Sequence, residues 1–217
     1  MTALAQAVAV ADTSAATSTV VSATLASPPT PGNLLIAVTL MVNATTTVHP
    51  WGVPPHIAAV NTTVARESIY SKVAVPGEPS TISVTFASSA TTYRLAVYEV
   101  APTAGLAWLG FDGSGSAADA GVAAATLSSG TTPPTSTPDG IAVAAWGMNG
   151  APGAFVSITN GFTATPMQSG WTAHKILTGT GPQESTLTWT GARRVGAAIA
   201  TFKQGVPVSS AGFLALL

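Results

Sequence analysis

The chain has no cysteine in 217 residues, which excludes a disulfide scaffold, an Fe–S cluster and a thiolate zinc site. Charge is nearly as scarce: seven Lys+Arg and eight Asp+Glu make up 7% of the chain, against about 25% in an ordinary soluble domain. With a formal net charge of −1 and so few cations, the chain cannot neutralise a row of phosphates, so nucleic acid is not an expected partner. No stretch reaches the ~20 apolar residues of a membrane-spanning helix. The longest obvious run, from Leu34 to Val42, is far shorter, and no membrane association is expected. Helical signals are also missing, since no 3.6-residue apolar stripe persists for three turns. Disorder is excluded as well, because it needs low hydrophobicity with high net charge and the chain has 47% hydrophobic residues.

What is present is Ala, Val, Thr, Ser, 21 Gly and 16 Pro, with aromatic residues at only 6%. The first basic residue is Arg66, so a secretory leader is not expected, and the sequons Asn43-Ala-Thr45 and Asn61-Thr-Thr63 read as chance. The composition therefore looks extracellular while no export route is visible.

The chain repeats itself. Ala23-Thr-Leu-Ala-Ser-Pro-Pro-Thr-Pro-Gly-Asn-Leu-Leu-Ile-Ala-Val38 has a counterpart from Ala125 to Ala145, and Tyr70 to Phe86 parallels Ala173 to Trp189. Lys72 and Lys175, 103 residues apart, fall at matching places, as do Arg94 and Arg193 or Arg194 near the end of each half. Such self-similarity at a steady spacing marks a tandem duplication. Thr81-Ile-Ser-Val-Thr-Phe86 and Ser185-Thr-Leu-Thr-Trp189 alternate with period two, as half-buried antiparallel strands do. Asn33–Val42 and Ile141–Trp146 are continuous apolar runs, which suits central strands covered on both faces. Pro76-Gly77 and Gly181-Pro182 supply turns. The expectation is an all-β chain: an antiparallel β-sandwich, jelly-roll or Ig-like, built from two pseudo-repeated halves of about 100 residues. The division is repeat one over 1–102, repeat two over 103–205 packed against it, and an apolar C-terminal arm over 206–217. The join from Glu99 to Gly113 is too apolar for a free linker.

Pro31-Gly-Asn-Leu-Leu-Ile-Ala-Val38, the turn Pro50-Trp-Gly-Val-Pro-Pro55, Ser68 to Val84, Ala96-Val-Tyr-Glu-Val100 and Ala197-Ala-Ile-Ala-Thr-Phe-Lys203 together resemble a family of tailed-phage virion proteins. These are β-sandwich proteins of the GNLLVA…YYKVA…EPSTFTFT type, filed as minor structural, decoration or tail-fibre-like. The likeness spans most of residues 5 to 203. It departs at Glu99-Val-Ala-Pro102, where the family's aspartate is unmatched. Its motifs are structural, and it transfers no active site. It implies a non-enzymatic virion component, assembled in the host cytoplasm, whose partners are other virion proteins, with head and tail locations both open. Closed homo-oligomers are expected, a trimer among them.

Candidate chemistry is thin. His49, His56 and His174 stand apart from any Gly-x-Ser-x-Gly elbow, and no cofactor or metal set is expected. Asp112-Gly-Ser-Gly-Ser-Ala-Ala-Asp119 has too few carboxylates for a calcium loop and reads as a turn. Trp51, Trp108 and Trp171 lie beside Gly or Pro or in apolar context; Trp51 and Trp171 are the candidates for the alternative function, a glycan-binding adhesin module that stacks rings on sugars. Lys72, Lys175, Arg94 and Arg194 are assigned structural, repeat-equivalent roles in cross-strand pairing with Glu67, Glu78, Glu99 or Glu184. Phe213, Leu214, Leu216 and Leu217 form an apolar tag after a Gly/Pro/Ser tether, and are expected to seat on a neighbouring subunit.

Overall fold

The structure is a computed structural model that describes residues 1–13, 19–41, 46–61, 65–86, 92–151 and 153–207. Seventeen strands and one short 3-10 turn account for its regular structure, and no α-helix occurs among the described residues. The chain is an all-β, antiparallel sandwich protein.

The first half contributes β1 (Ala3–Leu4), β2 (Ala9–Thr13), β3 (Val20–Thr24), β4 (Leu34–Met41), β5 (Thr46–Val48), β6 (Ile57–Asn61), β7 (Ala65–Val73), β8 (Thr81–Phe86) and β9 (Tyr93–Ala101). Its larger sheet has the order β1-β9-β4-β7-β6, with β2 also on β9, and its smaller sheet the order β3-β8-β5. The second half contributes β10 (Ala107–Ala118), β11 (Ala124–Ser128), β12 (Asp139–Met148), β13 (Phe155–Ile158), β14 (Thr163–Met167), β15 (Gly170–Thr178), β16 (Thr186–Arg193) and β17 (Val195–Gly205). Its sheets run β10-β17-β12-β15-β14 and β11-β16-β13. The two orders are the same when strands are matched in sequence. Each follows a jelly roll, in which strands pair 1-8-3-6 and 2-7-4-5, except that the fifth strand here joins the larger sheet beside the sixth.

The four sheets stack as four layers. Alternate residues of β4 explain why: Leu34, Ile36, Val38 and Leu40 join Ile141, Val143, Ala145, Ala198 and Phe202 of the second half in one core. Leu35, Ala37 and Met41 face the other way, onto Val21, Ile82, Val84 and Phe86 of the small sheet. Ala142, Ala144, Trp146 and Met148 do the same toward Leu187 and Trp189. Both large sheets are therefore covered on both faces, and their central strands β4, β9, β12 and β17 are buried along almost their whole length for that reason, β4 and β12 with nearly unbroken apolar sequences.

The halves are tied at the seam by more than apolar contact. Trp108, 7% exposed, gives its indole N–H to the carbonyl of Val100 at 3.0 Å. Gln204 accepts from the Thr103 N–H at 2.7 Å and donates to Thr2 Oγ1 at 2.8 Å. Tyr98 Oη meets Thr172 Oγ1 at 2.7 Å from the opposite sheet, and burial raises the Tyr98 phenol far above its ordinary pKa. The segment following β11 lies over β10, so closely that a Cβ on Gly115 would fall 2.5 Å from the Thr131 carbonyl oxygen.

Candidate functional site

The ladders align the two halves residue by residue. In the first, Leu35 stands opposite Lys72 and Glu99; in the second, Ala142 stands opposite Lys175 and Thr201. Lys72 and Lys175 thus occupy the same position in the two ladders. Each donates to a residue of the following turn: Lys72 Nζ to Glu78 Oε2 at 2.6 Å, Lys175 Nζ to Gln183 Oε1 at 3.1 Å.

Arg94 and Arg194 do not share a position, which corrects the repeat reading of these two. Arg94 pairs with Leu40, and the corresponding pair is Gly147 with Gly196. Arg194 lies two residues earlier, between β16 and β17, where its Nε donates to Asp119 Oδ2 at 2.8 Å. That carboxylate also accepts the Val195 N–H at 2.7 Å and the Gly121 N–H at 2.9 Å, so Asp119 ties two turns together. Sequence comparison missed the difference because Arg193-Arg194 lies near in a gapless reading, whereas the strand register places glycine there.

A sharper feature lies on the seam. Leu40 has Glu67 on one side and Arg94 on the other, all in one cross-strand row. The equivalent row of the second half is Gly147, with Gly170 and Gly196 beside it. Three large side chains face three glycines. A Cβ on Gly170 would lie 3.1 Å from Leu40 Cδ1, and one on Gly196 would lie 2.7 Å from Glu67 Oε2. Arg94, 1% exposed, reaches across to Gln168 Oε1 and to Ser169 Oγ at 3.2 Å in the turn before β15. Glu67 is wholly buried, and neither carboxyl oxygen completes a hydrogen bond, although the Gly147 N–H lies nearby. Burial drives its pKa well above the ordinary carboxylate value, which favours the neutral acid.

The histidines flank the same seam. His56 stacks on Phe111 at 4.7 Å and 3°, touches Phe202 edge-on at 5.5 Å and bonds Ser71 Oγ through Nε2 at 2.8 Å. His174 meets the Tyr98 ring edge-on at 5.8 Å. Burial lowers the pKa of both. His49 packs on Tyr70 at 5.6 Å, within the first half. Among the described residues, no group of three His, Asp or Glu side chains is placed to hold a metal ion.

The remaining candidates fall as follows. Trp171 is 4% exposed and stacks on Trp189 at 6.4 Å inside the second sandwich, which corrects its assignment as an exposed sugar platform. An apolar ring on an inward-facing position of β15 has no route to solvent. Trp51 is half-buried against the core of the first sandwich, in a 3-10 turn where it adopts φ 56°. Asp112 lies within β10 and accepts the Ser136 N–H at 2.8 Å and the Ser136 hydroxyl at 2.6 Å, with Lys203 Nζ 3.2 Å away. Partial desolvation pushes its pKa up, but these donors outweigh it and the net displacement is downward. Phe213, Leu214, Leu216 and Leu217 lie outside the described residues, which end at Val206 and Pro207 of the arm.

One open cleft of about 350 Å³ lies at the mouth of the second sandwich, lined by Thr131, Asn160, Lys175, Pro182, Gln183 and Glu184. Glu184 accepts from Ser128 Oγ and Thr131 Oγ1, each at 2.9 Å. The Lys175 ammonium sits 5.9 Å from the centre of the Phe162 ring. Sequence reading did not single out Asn160, Thr131 or Gln183; they are polar loop residues with no local signature.

Comparison with protein-family models, with curated proteins and with solved structures finds no match to this chain.

Proposed function

We propose that this chain is a non-enzymatic structural subunit of a tailed-phage particle, a capsid decoration or minor tail protein that stabilises the particle by contact with other virion proteins. The observation that carries the reading is where the few charges are used. Lys72 pairs with Glu78, Arg194 with Asp119 and Lys203 with Asp112. Glu99 is 1% exposed and bound by Gln6, by the Thr30 N–H at 2.7 Å and by the Asn33 amide at 2.7 Å. Glu67 is wholly buried in the seam. These ionic groups hold the body together, and much of the outer surface is left to hydroxyl and aliphatic side chains. Val48, Leu109, Val122, Phe155 and Val156 are all at least half-exposed or close to it (48 to 71%). A neutral β-surface of that kind suits burial between neighbours, since protein interfaces are depleted in charge at their centres. Jelly rolls build viral capsid and lectin domains, a fold-level analogy in the same direction.

The partners are virion subunits in a closed homo-oligomer, of which a trimer is one form. The test is a quantitative protein gel of purified particles together with sedimentation of the isolated chain. A fixed copy number in the particle, and a defined oligomer in solution, support the reading. Absence from purified particles overturns it. Removing residues 206–217 tests the apolar arm separately: loss of incorporation is expected, and unchanged incorporation assigns the contact to the folded body.

A further inference from the structure

The duplicated halves have diverged at one corresponding place, the open end of each sandwich, and the divergence points to a ligand site in the second. In the first half Trp51 occupies the corresponding loop and lies against the core. The loop after β5 carries Trp51 at φ 56° followed by Gly52 at φ 71°, and the indole packs down on the core. The ladder lysine beside it in topology, Lys72, is neutralised by the buried Glu78 at 2.6 Å. In the second half the corresponding loop, after β13, repeats the backbone with Asn160 at φ 59° and Gly161 at φ 74°, but a small amide replaces the indole. The equivalent lysine, Lys175, meets the neutral Gln183 in place of an acid. No carboxylate lies within ion-pair distance of Lys175 among the described residues. The end is left open as the cleft of about 350 Å³.

We infer that this cleft binds an anionic polyol, an acidic saccharide of the uronate type, with its carboxylate on Lys175 and its hydroxyls on Glu184 and Asn160. The groups present fit that chemistry. Lys175 offers a compact cation whose stem is steadied over the Phe162 ring. Glu184 is an oriented acceptor, since Ser128 and Thr131 hydroxyls already fix its two oxygens and leave further lone pairs for sugar O–H donors. Asn160 donates to the Glu184 carbonyl at 2.8 Å and keeps its amide oxygen as an acceptor at the rim. A bare inorganic anion would use Lys175 but would be repelled by Glu184; a neutral sugar would use Glu184 but leave Lys175 unanswered. A ligand carrying both an acid and hydroxyls satisfies both. This inference stands apart from the structural role proposed above, and neither depends on the other.

The test is calorimetric titration of the full chain with tetragalacturonate, maltotetraose and inorganic phosphate in turn. Tetragalacturonate is expected to bind at least tenfold more tightly than the other two. Lys175→Gln should lower that affinity tenfold or more and Glu184→Gln severalfold, while Lys72→Gln, the equivalent change in the first half, leaves it unchanged. Asn160→Trp, which imitates the plug at Trp51, should abolish binding with the melting temperature retained. Absence of binding by all three probes overturns the inference, as does equal binding by the Lys175→Gln chain. Phosphate matching tetragalacturonate, with no effect of Glu184→Gln, also overturns it and leaves an anion site only.

Discussion

Glu67 and Gly196 meet across the seam between the two halves: a β-carbon placed on Gly196 would lie 2.7 Å from Oε2 of Glu67. The two occupy corresponding neighbouring ladders, Glu67 beside Leu40 and Gly196 beside Gly147. The seam is thus complementary in volume, with bulk from one copy of the repeat set against glycine from the other. Two identical first halves would collide here, and two identical second halves would leave a void.

Gly196→Ala should therefore destabilise the chain by about 1–3 kcal/mol, the usual cost of overpacking a closed core. Combining it with Glu67→Ala should cost less than the sum of the single changes, with a coupling of about 0.5–3 kcal/mol. A double-mutant cycle of denaturant unfolding measures this, and simple additivity would show that the two residues do not share space.

The contribution of Glu67 to stability should fall as pH rises above the ordinary carboxylate range. Desolvation raises the Glu67 pKa in the folded chain well above the ordinary 4.5. Its contribution is complete below that value and is lost as pH climbs toward the folded pKa, because the unfolded chain releases a proton that the folded chain keeps. The limiting slope is about 1.4 kcal/mol per pH unit. Glu67→Gln should flatten this limb in a series of melting curves from pH 4 to pH 8, and an unchanged slope would place the ionisation elsewhere.

Two histidines act in the opposite sense to Glu67. Burial lowers the pKa of His56 and of His174 from 6.5, so both favour the folded state when neutral. That contribution is present above pH 6.5 and is lost as pH falls through the depressed values. His174→Phe, which keeps a ring against Tyr98, should reduce the loss of stability between pH 6.5 and pH 4.5 relative to the parent chain. Parallel curves for the two proteins would count against His174 as a source.

Trp171→Ala should unfold the second sandwich before it affects any ligand. Removing a buried indole costs about 3–5 kcal/mol. The expected result is a large drop in melting temperature, whereas retention of stability would mean that the ring is not enclosed between Trp189 and the sheet. Trp51→Ala, at a half-buried ring, should cost distinctly less.

Much of the architecture was legible in the residues. Leu34–Met41 and Gly140–Met148 are apolar without alternation, and such runs have no stable place except between two layers. The period-two patterns of β8 and β16 mark the small outer sheets for the opposite reason, having one wet face. The duplication was visible in Pro31-Gly-Asn-Leu34 and Pro138-Asp-Gly-Ile141, and in the paired lysines. Its register was not. Lys72 and Lys175 are 103 apart, but Leu34 and Ile141 are 107 apart, because the second half spends extra residues on the segment that covers β10. A linear comparison therefore matched Arg94 with Arg194, when the ladder matches it with Gly196.

The sequence alone determined strand from helix, the two-fold repetition and the absence of thiol or charge-rich chemistry, because these follow from periodicity and composition along the chain. Only the tertiary structure decided that the large sheets face each other, that Trp171 is enclosed, that Glu67 is buried against glycines of the other half, and that the second sandwich has a cleft beside Asn160 where the first carries Trp51. Each of those depends on which residue lies across a gap of a few ångströms from another half a chain away, and nothing local to either residue records its partner.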